Sequence, residues 1–216
     1  QAQGRFQEAE EWAQNAVIGS EQGYGPEHFY PASARTRLAS ICFAEGKMKK
    51  AEELLRQSLK VQEKVLGPMH PDSAETEDSL GMLLYAQSRY KEAEPLFKIA
   101  LAGRVQSYGE DHPSVSETLG HQGDLYVAMG LHKDAEEPLR RALVLDEKRL
   151  GPEHPGVGLR CLKLGKCLMA LHREKEVEPF LKRALQIDEK VFGVDNPSLA
   201  QDLGSLFQLY KAMGDN

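Results

Sequence analysis

No apolar run in the sequence approaches the roughly 18 residues needed to cross a bilayer, so a transmembrane span is not expected. Cysteine is scarce. Cys42, Cys161 and Cys167 are odd in number and form no CxxC pair, which argues against a zinc site and against a disulfide framework. They read as small buried hydrophobes in a reducing, cytoplasmic compartment. Positive charge is not in excess either: 27 Lys+Arg against 33 Asp+Glu give a net charge of -6. That balance works against phosphate backbones and anionic lipid, so neither nucleic acid nor a membrane is expected as a partner. HExxH, GxSxG and a complete phosphate loop are all missing, and no catalytic residue, metal or cofactor is expected.

Glycine, by contrast, is plentiful, at 19 of 216 residues in a chain whose pattern is otherwise helical. The glycines recur with a fixed period. Markers of the form Gly-x-x-x-x-Ala-Glu, or close variants, begin at residues 4, 46, 88, 130 and 172, and Gly214 opens a sixth. A second marker runs at the same spacing of 42 residues: Gly25-Pro-Glu-His28, Gly67-Pro-Met-His-Pro71, Gly109-Glu-Asp-His-Pro113, Gly151-Pro-Glu-His-Pro155 and Gly193-Val-Asp-Asn-Pro197.

Between the markers, apolar residues fall at three and four spacing, as in Leu139, Ala142, Leu143 and Leu150, which predicts two helices per period. Outer helices (B) are predicted near 5–22, 47–66, 89–107, 131–150 and 173–192. Inner helices (A) are predicted near 31–45, 72–87, 114–129, 156–171 and 198–213. Glycine closes each A helix and proline opens the next, as helix termini require. Pro95, Pro138 and Pro179 are expected in or near the first turn of their B helices, with a kink as the alternative. Ten helices and no strand follow.

Small residues form columns where helices must approach closely: Ala39, Gly81, Gly123 and Gly165 in one, Ala9, Ala51, Ala93 and Ala135 in another. Together with the stretches Ser88 to Leu96, Leu66 to Pro71 and Leu150 to Pro155, this pattern resembles the tetratricopeptide repeat, in its 42-residue kinesin-light-chain-like type. The resemblance covers the whole chain. It implies a right-handed superhelical solenoid of antiparallel helix pairs, a single domain over 1–216 of about five repeats, with a concave surface lined by the A helices. Where kinesin light chains carry a groove-facing Asn-Asn, this chain has Thr36-Arg37, Asp78-Ser79, Gly120-His121, Leu162-Lys163 and Gly204-Ser205. The likeness therefore extends to the fold and to a general peptide-holding role, and not to those asparagines. Chaperone-binding relatives carry a lysine at a column that is here Ala44, Ala86, Ala128, Ala170 and Ala212, so a chaperone-tail clamp is not expected.

The recurring His28, His70, His112 and His154 would tempt a metal reading, but successive layers are about 10 Å apart and the side chains cannot converge on one ion. Asn196 fills the fifth slot. The column reads as a helix cap or loop-packing position. The resemblance implies a groove lined by Phe43; by Glu75, Asp78, Met82 and Tyr85; by Glu117, Asp124 and Val127; by Leu159, Leu162, Lys166 and Met169; and by Gln208. Five inner helices would span about 40 Å, enough for an extended peptide of about 12 residues. The acidic members favour a basic-apolar segment, with Asp78, Glu117 and Asp124 selecting charge and Tyr85, Met82 and Leu162 filling pockets. The expected function is a non-catalytic protein-interaction scaffold. The alternative is a structural, oligomerisation or regulatory segment of a larger protein, with the groove idle or used intramolecularly and the end helices free to mate with other chains. Because residues 1–4 begin in a turn and the last segment is an A helix, the chain is expected to be part of a longer array.

Overall fold

The computed structural model describes residues 2–214, with side chains for all of these except 2–6 and 198. Ten α-helices follow in order: α1 (Ala2–Tyr24), α2 (Phe29–Ala44), α3 (Met48–Val65), α4 (Pro71–Ala86), α5 (Tyr90–Tyr108), α6 (Pro113–Ala128), α7 (His132–Leu150), α8 (Pro155–Ala170), α9 (Glu174–Phe192) and α10 (Ala200–Gly214). A 3-10 turn at Pro197–Leu199 precedes α10, and the described residues contain no strand. Odd-numbered helices are the B helices and even-numbered ones the A helices.

The histidine column is a set of helix caps. Nδ1 of His28, His70, His112 and His154 accepts the backbone N–H two residues on, at 3.3, 3.2, 3.3 and 3.0 Å. In three of the four helices a proline at the first position follows, where its missing N–H costs nothing. The A helices end alike. Lys47, Arg89, Leu131 and Arg173 each donate their N–H back to Cys42, Leu84, Tyr126 and Leu168 across a residue of positive φ, the reverse turn that satisfies the last carbonyls. That residue is Gly46 and Gly130 in two copies, but Ser88 and His172 in the others.

The chain divides into two compact units, residues 1–110 and 111–216. In the first, each of α1 to α5 packs on the next, and α2 lies beside α4; in the second, α6 to α10 do the same, with α8 flanked by α6 and α10. The glycine column marks the tightest crossings. A Cβ at Gly81 would come within 2.7 Å of Phe97, one at Gly123 within 2.6 Å of Leu139, and one at Gly165 within 2.7 Å of Leu181. Phe97, Leu139 and Leu181 are themselves wholly buried, so small on A against large on B is the repeating unit of the core.

Two expectations change. Gly4 lies inside α1, which already runs from Ala2, and not in a turn before it. Pro95 and Pro179 sit at the sixth position of α5 and α9 and Pro138 at the seventh of α7, past the first turn, and each helix continues through its proline. The Asp215 and Asn216 that follow Gly214 lie outside the described residues.

Candidate functional site

At about 100° per residue, positions i, i+4, i+7 and i+11 of an A helix make one narrow stripe, and i+3 points about 60° to its side. Burial follows this geometry. The columns Ser33/Glu75/Glu117/Leu159/Gln201 and Ser40/Met82/Asp124/Lys166/Gln208 are exposed or half-exposed in each copy. Phe43, Tyr85, Val127 and Met169, on the flank of the stripe, are half-buried. The column at i+3 is different: Thr36, Asp78, Gly120 and Leu162 are all buried.

Asp78 and Leu162 are thus corrections to the expected groove lining. Asp78 lies 3.7 Å from the Arg104 guanidinium of α5, and both side chains are almost completely covered. Its charge serves the α4–α5 interface. Leu162 belongs to the apolar core of the second unit, beside Cys161, Leu164 and Leu181. Asp124 remains on the stripe, but the Lys163 ammonium on α8 stands 2.5 Å from its carboxylate. Of the expected acidic residues, Glu75 on α4 in the first unit and Glu117 on α6 in the second are exposed.

Sequence reasoning left one column out of the site. Arg37 is exposed, and Ser79, His121 and Lys163 are half-exposed, on the stripe four residues after Ser33, Glu75, Glu117 and Leu159. The spacing itself carried the signal, since i+4 lies closer to the open direction than i+3. In the first unit the inner faces thus offer Arg37, Glu75, Ser79, Met82 and Tyr85. In the second they offer Glu117, His121, the Asp124–Lys163 pair, Leu159, Lys166, Met169 and Gln208, with Leu159 half exposed to solvent.

A cleft of about 500 Å³ opens at the rim of the second unit, between Glu117 of α6 and Arg149 and Arg160. It is internally neutralised. Asp146, nearly buried, accepts from Arg160 Nε at 2.9 Å and from Ser116 Oγ at 2.7 Å, and Arg149 approaches at 3.4 Å. Burial works to raise the Asp146 carboxyl, but the bonds from Arg160 and Ser116 outweigh it and hold it below its usual range. The guanidinium of Arg160 fits because Gly120 has no side chain there: a Cβ would lie 1.8 Å from Nη1. Among the described residues no group of three or more His, Cys, Asp or Glu could hold a metal ion. Cys42, Cys161 and Cys167 are free, and burial raises all three thiols, Cys161 to about 11, so none is poised as a nucleophile. No helix among the described residues is long and apolar enough to cross a membrane.

Comparison with known proteins agrees with this architecture. A family model described as tetratricopeptide repeat matches at residues 1–64, 30–104 and 72–148. No curated protein matches the chain. Among solved structures, a Podosopora anserina protein assigned to the kinesin light chains, with nearly identical TPR-like repeats, is 25% identical with a TM-score of 0.73, covering 88% of this chain and 89% of that one. BtubC (BKLC) from P. vanneervenii is 22% identical with a TM-score of 0.79, over 91% of this chain and 79% of its own. PilF of Pseudomonas aeruginosa is 20% identical with a TM-score of 0.62, over 97% and 86%. With the all-α helix pairs, the 42-residue period and the family match in agreement, the chain belongs to the tetratricopeptide repeat family.

Proposed function

We propose that the chain is a non-catalytic interaction scaffold whose inner-helix faces hold an extended, basic-apolar segment of a partner protein. Tetratricopeptide repeats support a protein-interaction role in general. The observation that carries the finer reading is the stripe of open positions repeated on successive A helices within each unit, on α2 and α4 in the first and on α6, α8 and α10 in the second. Glu75 and Glu117 supply the charge preference, and Met82, Tyr85, Val127, Leu159 and Met169 the apolar area. Phe43 stands on the inner face of α2 in the first unit, and Asp124, Lys166 and Gln208 share one column on α6, α8 and α10 in the second. Three buried free thiols support a cytoplasmic setting, and the partner is read as protein, not nucleic acid or membrane. A peptide array should favour basic-apolar segments, and the double variant Glu75→Lys, Glu117→Lys should weaken that binding at least tenfold. Preference for acidic peptides, or indifference to the double variant, would overturn the polarity.

A second reading, association through an end helix, draws on α10. Leu203, Phe207, Tyr210 and Met213 form an exposed apolar stripe along it. Phe207 occupies the column that is Ala39, Gly81, Gly123 and Gly165 elsewhere, and places a large exposed ring on that face. Light scattering tests this reading. A concentration-dependent oligomer that Phe207→Ser dissolves, and that the groove variant leaves intact, supports it; a monomer at all concentrations removes it.

A further inference from the structure

We propose that the docking of α10 is governed by a proton held between Asp188 of α9 and Asp202 of α10, so that the last inner helix is clasped in acid and loosened as the pH rises. Asp188 and Asp202 stand 42 residues after Asp146 and Arg160, the salt bridge of the preceding copy. In the last copy the cation has become a second carboxylate.

The neighbouring layer accounts for the change. Arg160 needs the empty space over Gly120, whereas the residue 42 positions after Gly120 is Leu162, a buried side chain. Asp202 is 1% exposed, and neither of its oxygens has a donor when both carboxyls are ionised. One proton turns the Asp188–Asp202 contact into a hydrogen bond; without it, two like charges face each other in a poorly solvated seam. Asp188 is also confined, since it lies against Gly158, whose Cβ would be 3.1 Å from its Oδ1.

The elements packed on α10 supply little compensation. From α8, Lys166 faces the pair and favours the ionised form; from α9 the facing charge is Asp188 itself; the 3-10 turn Pro197–Leu199 has no ionisable residue. Burial first, then the Asp188 charge, pushes the Asp202 carboxyl up to about 6. A carboxyl raised in the docked state favours docking below its free value, and that advantage is lost as the pH climbs through the docked value. The opening equilibrium of α10 should accordingly rise roughly tenfold between pH 5 and pH 8. The proposal is independent of what the inner faces bind.

Amide exchange of the whole chain, corrected for intrinsic rates, reads this directly with α7 as the internal reference. The expected result is a roughly tenfold loss of α10 protection from pH 5 to pH 8 with α7 unchanged, most of it flattened in Asp202→Asn and shifted to lower pH in Asp188→Asn. A flat wild-type profile overturns the proposal, as does an equal slope in Asp202→Asn. A third result also overturns it: protection restored at pH 8 by millimolar calcium in the wild type and not in Asp202→Asn, which would make a cation, not a proton, the occupant.

Discussion

Ser88 and His172 hold φ of 60° and 57°, where the equivalent residues of two other copies are glycines. A side chain in this left-handed region costs about 1–2 kcal/mol, because Cβ crowds the following carbonyl oxygen. Part of that is recovered in the unfolded chain, where serine has less freedom to lose than glycine. Ser88→Gly should therefore raise stability by about 0.5–1 kcal/mol, seen as a higher thermal midpoint; a lower midpoint would mean that Ser88 earns its place through a contact other than its weak 3.4 Å bond from the Tyr90 hydroxyl. Glu77 is strained in a different sense. It is wholly buried in α4, both of its oxygens lack a partner, and burial, helped by Glu63, pushes its carboxyl up to about 8. Its folded value exceeds the unfolded one, so its contribution is complete below about pH 4 and is lost as the pH rises through 8. Glu77→Gln is expected to increase urea stability by about 1 kcal/mol at pH 5 and by on the order of 4 kcal/mol at pH 9. An equal gain at both pH values would show that charge is not the cause.

At the scale of the element, the tight crossings depend on the absence of Cβ. Gly123→Ala gains up to about 1 kcal/mol of helix propensity but forces a methyl into Leu139, an overpacking cost of about 1–3 kcal/mol. A net loss of about 1–2 kcal/mol in chemical denaturation is the expected outcome, and a gain would mean that α6 and α7 can separate at little cost. Ala39 in the first copy shows that the column accepts a methyl where the layer has adjusted to it. Helices, caps and this column were legible in the sequence because each rests on residues a few positions apart: an inner helix expected at 72–87 is found at Pro71–Ala86. Charge on the inner faces was less legible. Asp78 and Asp124 look alike in sequence, yet one is buried against Arg104 and the other is answered by Lys163, and both partners sit on other helices. Glu136 shows the same thing on an outer helix: it accepts from Arg140 on its own helix and from Arg173 beyond the next one.

At the scale of the molecule, each helix packs on the next within its own unit, and stability in such repeat arrays is close to a sum of local terms. Damage should then stay local. Gly165→Ala, which drives a methyl toward Leu181, is expected to reduce amide protection in α8 and α9 while α2 to α4 keep theirs; uniform loss along the chain would instead reveal one cooperative unit. Ion pairs between successive repeats, such as Arg89–Glu52 and Arg173–Glu136, join side chains that are at least one-fifth exposed, so each adds about 1 kcal/mol or less. By itself the sequence determined the period, the ten helices, their caps and the small-against-large columns, since these follow from hydrogen-bond needs and side-chain size within one or two turns. Tertiary structure alone decided which charges face outward. Whether a carboxylate meets an arginine, a lysine, another carboxylate or water depends on the residue that the adjoining layer brings opposite it, some 15 to 40 positions away.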